Sequence, residues 1–81
     1  MDRAGALVGL RKFVSVTPHD STDIEVTRAI YVESTGDVAV IGEHDTVAVT
    51  IPGLFGGVWH PMRVTRILDT GTDATTVIVG R

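Results

Sequence analysis

A carboxylate beside a Thr-Gly turn, Asp69-Thr70-Gly71, is the arrangement in this chain closest to a reactive centre. A second copy of the same turn facing it would bring two carboxyl groups together. Two such groups cannot both ionise, so they would share one proton and could activate water for hydrolysis. Little else offers chemistry. His19, His44 and His60 are the only imidazoles, and none has the i, i+2 or i, i+4 spacing that brings two metal ligands together. Asp20 with Asp23, or Asp69 with Asp73, could hold Ca²⁺, but a calcium loop needs several oxygen ligands within twelve residues and a terminal Glu. Gly53, Gly56 and Gly57 match no phosphate-cradling loop, and no helical pattern follows them. No Ser-His-Asp set with a strained nucleophile turn is present. There is no Cys, which excludes disulfides and thiolate metal sites.

Length weighs against the carboxylate pair. Only ten residues follow Gly71. The retroviral-type aspartic proteases that carry this triplet need a flap and return strands beneath the catalytic loop. The expectation is therefore a plain turn, with Asp69 and Thr70 satisfying backbone donors and Gly71 at positive φ. No catalytic residue, metal ligand or cofactor is assigned.

The elements that would position any site are strands. Thirteen Val, six Ile and eleven Thr dominate the 81 residues, and β-branched side chains fit a pleated, half-buried surface. Strands are expected over residues 12–16, 24–33, 38–41, 46–51, 58–68 and 75–79. Polar or Gly-containing turns separate them, and no segment sustains a 3.6-residue period. In 24–33, Val26, Ile30 and Val32 share a face. In 46–51, Val47, Val49 and Ile51 point inward. The second to fourth strands read as a meander, with Gly36 supplying the positive φ of a tight turn. Pro61 implies an edge or a bulge. Strand 75–79 is apolar on both faces (Val77 and Val79 against Ile78), which implies cover from something else, a neighbouring subunit being one source. The fold expected is all-β: one domain over 1–81, an arm or edge segment over 1–13, and a small antiparallel sandwich or barrel of about six strands over 14–81. No substantial helix is expected.

A domain this short buries only about 60% of its unfolded surface, so oligomerisation is the natural support for its thin core. The net charge of −3 with a single Lys lacks the basic excess of a nucleic-acid binder. No apolar run approaches the roughly 20 residues that span a bilayer. The short run over residues 4–10 weakly resembles a signal peptide, but Arg11-Lys12 follows it without a small-residue cleavage site. Phe13, Tyr31, Phe55 and Trp59 are the only aromatics. Aromatic residues beside Arg mark binding surfaces, so the candidate interface is Tyr31, Trp59, His60, Arg63, Arg66, Val77 and Val79.

The order of segments resembles one family. Val16-Thr17-Pro18, Asp20-Ser21-Thr22-Asp23, Thr27-Arg28-Ala29-Ile30-Tyr31-Val32 and Gly36-Asp37-Val38 are followed by Gly57, His60-Pro61-Met62-Arg63-Val64-Thr65-Arg66-Ile67, Thr70-Gly71-Thr72 and Ala74-Thr75. From about Val14 to Val79 this is similar to the head spike base proteins of tailed phages and gene transfer agents. The chain departs at Glu33-Ser34-Thr35, where a Gly-containing turn is expected, and at residues 52–57, a longer and more apolar connection. The resemblance implies a structural virion protein that forms a homopentameric ring at a five-fold capsid vertex, between the major capsid protein and a spike fibre. It implies no enzymatic activity and no direct contact with nucleic acid or membrane interior. Ring contacts would join the Pro61 edge of one copy to strand 75–79 of the next. A capsid decoration protein, a tail-associated adaptor and a free β-barrel binding module are the competing readings.

Overall fold

Alternating β-branched residues build two antiparallel sheets. The structure, a computed structural model, describes residues 9–81. Seven strands form: β1 (Phe13–Val16), β2 (Ala29–Val32), β3 (Gly36–Gly42), β4 (Val49–Leu54), β5 (Trp59–Pro61), β6 (Val64–Leu68) and β7 (Val77–Gly80). One sheet has the order β1-β7-β2-β5, the other β4-β3-β6. The chain is all-β, as expected, and no helix occurs among the described residues.

Ile30, Val32, Val77 and Val79 of the first sheet form one buried cluster with Val38, Val40, Leu54, Val64 and Ile67 of the second. Each such burial contributes about 1.5–3 kcal/mol. Ala74 joins the cluster, and Val14, Val16, Ile24, Ile51 and Met62 pack against its margins. Val47 and Val49, expected inward, are 72% and 55% exposed. Val47 precedes β4, and Val49 begins a strand that pairs on one side only.

The expected meander does not form, because β2 and β3 lie in different sheets. Two long apolar segments each serve both sheets. In residues 24–33, the first half runs along the outer edge of β6, through Ile24 N–H to Thr65 O (2.8 Å) and Thr27 N–H to Val64 O (3.1 Å). The chain then crosses over, and Arg28 N–H reaches Gly80 O (2.8 Å). Residues 58–68 divide the same way, into β5 in the first sheet and β6 in the second. Pro61 ends β5, an edge strand that pairs only with β2.

One hydroxyl fastens these two crossings together. Thr27 is the buried polar residue of the described chain, at 0% exposure. Its Oγ1 donates to Met62 O (2.8 Å) and accepts from Val64 N–H (3.1 Å). Thr27→Val keeps the shape but leaves a buried donor and acceptor unpaired, which costs about 1–3 kcal/mol. The urea midpoint should fall accordingly, and Thr27→Ser should recover much of it. An unchanged midpoint in Thr27→Val would show that the hydroxyl does not hold the corner.

At the opposite end the connections are equally close. Gly36 does not take positive φ. It opens β3 against the backbone of Ala74, where a Cβ would lie 2.8 Å from the Ala74 nitrogen. The expected arm over 1–13 falls mostly outside the described residues. Within them, Arg11 and Lys12 N–H both bond Arg81 O (2.6 and 3.1 Å), and the Arg81 N–H returns to Lys12 O (2.9 Å), extending the β1–β7 pairing.

Candidate interaction surfaces

Strand registry decides which candidate residues meet. Tyr31 pairs with Trp59 across β2–β5 and with Ile78 across β2–β7. All three therefore share the outer face of the first sheet. The Trp59 ring tilts against Tyr31 (centroids 5.4 Å) and against Phe13 (5.6 Å), separations at which aromatic rings attract edge to face. Gly80 lies under this group, where a Cβ would stand 3.0 Å from Leu10 and 3.3 Å from Trp59. Phe13 is 59% exposed. The cluster is thus half-covered and presents a ring outward. Phe13 joins it through the Phe13–Gly80 register and the closeness of Trp59, a contact that strand periodicity by itself does not reveal.

The remaining candidates separate. His60 Nε2–H donates to Phe55 O (2.7 Å), which ties the start of β5 to the preceding loop. Arg63 is exposed at the β5–β6 crossing. Arg66 lies in the other sheet, where its Nε donates to Asp23 Oδ1 (2.8 Å) and its Nη1 to Asp20 O (3.2 Å). Arg66 therefore fastens the 17–28 segment along β6. Val77 and Val79, 1% and 0% exposed, belong to the chain's own core. Their assignment to a subunit interface is corrected: β7 is a central strand between β1 and β2, and the cover for its two faces comes from within.

The Asp69-Thr70-Gly71 turn also resolves. Gly71 has φ 93° as expected, but the carboxylate that satisfies the turn is Asp20, not Asp69. Thr70 N–H donates to Asp20 Oδ1 (2.8 Å) and Thr70 Oγ1–H to Oδ2 (2.6 Å). Thr72 adds a second clamp, its Oγ1 accepting from Ala39 N–H (3.0 Å) and donating to Leu68 O. Among the described residues no group of three His, Asp or Glu side chains converges as metal ligands.

The Thr70 hydroxyl, followed by the Thr70 N–H, holds the Asp20 carboxyl below its ordinary pKa. Stability from this contact is therefore present above about pH 4, the ordinary value, and disappears as pH falls through the lower folded value. Asp20→Asn should lower the urea midpoint at neutral pH, and the gap to the unsubstituted chain should close in strong acid. A gap that stays constant across that range would count against the contact.

Charges divide between the two ends of the sandwich. Arg11, Lys12, Arg28, Arg63 and Arg81 gather at the end marked by Gly42 and Gly80, together with Glu25, Glu43 and Asp45. Asp20, Glu33, Asp37, Asp69 and Asp73 gather at the end marked by Gly36 and Val77, with Arg66 reaching its margin at Asp20 O. Exposed apolar side chains accompany both: Phe13 and Val47 at the first end, Phe55 (68%) and Val58 (45%) at the second.

No protein-family model matches the chain, and no curated protein matches it. Among solved structures it is similar to a chain of the capsid of a native gene transfer agent (GTA) particle computed with C5 symmetry. The two share 31% of residues and superpose with a TM-score of 0.80, over 94% of this chain and 88% of that one. With a fold and sequence shared over nearly the full length of both, the chain belongs to the structural proteins of gene transfer agent capsid particles.

Proposed function

We propose that the chain is the base of a capsid head spike. Five copies form a ring at a five-fold vertex of the particle, seated on the major capsid protein and carrying a spike fibre. The observation that carries this reading is the 31% identity to a chain of a capsid computed with C5 symmetry. The succession of segments similar to head spike base proteins, from about Val14 to Val79, supports it. The role is mechanical: the chain needs no cofactor and catalyses nothing. It does not bind nucleic acid directly or insert into a membrane. It joins the particle in the host cytoplasm and remains at the capsid vertex. The Phe13–Tyr31–Trp59 face then offers one of the two other proteins a firm aromatic contact, of the kind that dominates interface energetics.

The test is a pair of five-fold reconstructions, from particles assembled with and without this chain. Density capping the vertices should be lost without it, and the fibre with it. Unchanged vertices, with density missing from the tail, would replace this reading by a tail-associated adaptor.

A further inference from the structure

We infer that copies of this chain contact one another head to tail, the cationic end of one against the acidic end of the next. The inference rests on the ring reading and assigns the surfaces that close the ring. A five-fold axis permits only heterologous contacts, in which two different patches meet. The molecule has two suitable patches. One end carries Arg11, Lys12, Arg28, Arg63 and Arg81 against Glu25, Glu43 and Asp45, an excess of two positive charges, and exposes Val47. The other exposes Glu33, Asp69 and Asp73 beside Phe55 and Val58. The seven residues of β3 hold these ends roughly 20 Å apart, so the two patches cannot neutralise each other within one copy at ordinary salt.

Charge complementarity selects the occupant. Two acidic ends, or two cationic ends, would repel in an isologous pair, whereas unlike ends attract. The exposed apolar side chains at each end gain cover in the same contact. Two of the four sheet edges are blocked or blunted against strand pairing. The outer edge of β6 is taken by the 19–27 segment, and β5 is short and carries Pro61.

Three variants test it, read by native mass spectrometry at low and moderate ionic strength. Lys12→Glu with Arg63→Glu makes both ends acidic. Glu33→Lys with Asp69→Lys and Asp73→Lys makes both ends cationic. The third combines all five changes and so reverses the polarity. Circular dichroism confirms that each is folded. All five positions are exposed, so folding should survive. The unsubstituted chain should show a pentamer that weakens as salt rises. Each single-end variant should lose it by about tenfold or more, and the five-site variant should regain it. Mixing the two single-end variants should give even-numbered hetero-oligomers but no closed ring of five, because unlike ends cannot alternate around an odd ring. A pentamer indifferent to all these changes would overturn the head-to-tail contact while leaving the vertex ring standing. A closed ring of another size with the same charge dependence would keep the contact and remove the five-fold reading. A chain that stays monomeric under all these conditions would overturn the contact, and the vertex reconstructions would then decide the spike reading separately.

Discussion

Val77→Asp should unfold the protein, not merely dissociate an assembly. Val77 is 1% exposed, in a central strand where it sits between Val16 of β1 and Val32 of β2. A carboxylate there has no partner. Leaving a buried charge unpaired costs about 3–5 kcal/mol, and losing the valine burial adds about 1.5–3 kcal/mol. A domain of this length is held by roughly 4–12 kcal/mol in total. The variant should therefore show a far-UV spectrum of a largely unfolded chain, or a urea transition shifted close to zero denaturant. Ile78→Asp is the control. Ile78 lies on the outer face beside Tyr31, half-buried, where water can reach a new carboxylate, so its cost should be much smaller. A folded, stable Val77→Asp chain that had lost only self-association would return β7 to the interface and contradict the core assignment.

The same strand shows what the sequence could and could not convey. An apolar run with Val77 and Val79 on one face and Ile78 on the other was legible, and so was its strand conformation. Whether the second face met a partner or the chain's own aromatics was not, because that depends on Trp59 and Phe13 closing over Gly80 from remote segments. Period-two alternation marked both long segments as strand-forming. It could not mark the crossings at Arg28 and at Met62-Arg63, since a strand that leaves one sheet for the other keeps its apolar pattern on both sides. Pro61 was the one visible sign, and it does end β5 at a sheet edge. The crossing at Arg28 has no such punctuation. It is held by Thr27, whose type alone does not distinguish a buried clamp from a solvated strand position. The Thr70 turn was visible as a turn, but its acceptor, fifty residues earlier, was not. Charge separation was hidden for a related reason: the carboxylates of the acidic end are scattered from Asp20 to Asp73, and only the topology brings them to one side.

Gly56→Ala should be the most damaging of the small substitutions. Glu33-Ser34-Thr35, the segment without the expected glycine, carries the chain from β2 in the first sheet to β3 in the second. Residues 55–58 carry it back from β4 to β5. The two connections pack directly on each other, through Gly56 N–H to Thr35 Oγ1 (2.9 Å) and Gly57 N–H to Val32 O (2.9 Å). The missing glycine of the first connection is thus supplied by the second. A Cβ on residue 56 would lie 2.7 Å from Glu33 O, 2.7 Å from Thr35 N and 2.8 Å from the Ser34 carbonyl carbon. All three are backbone atoms, so no side chain can swing aside, and the two crossings must separate and strain or lose those hydrogen bonds. Overpacking of this kind costs about 1–3 kcal/mol, and each weakened hydrogen bond adds about 0.5–1.5 kcal/mol. Gly53→Ala isolates the steric part. Gly53 has φ 60° but open space around its Cβ position, so only the left-handed backbone penalty of about 1–2 kcal/mol applies. Urea unfolding followed by Trp59 fluorescence should place Gly56→Ala well below Gly53→Ala, and both below the unsubstituted chain. Equal midpoints for the two would mean that backbone conformation, not the packed crossing, sets the cost at this end of the sandwich.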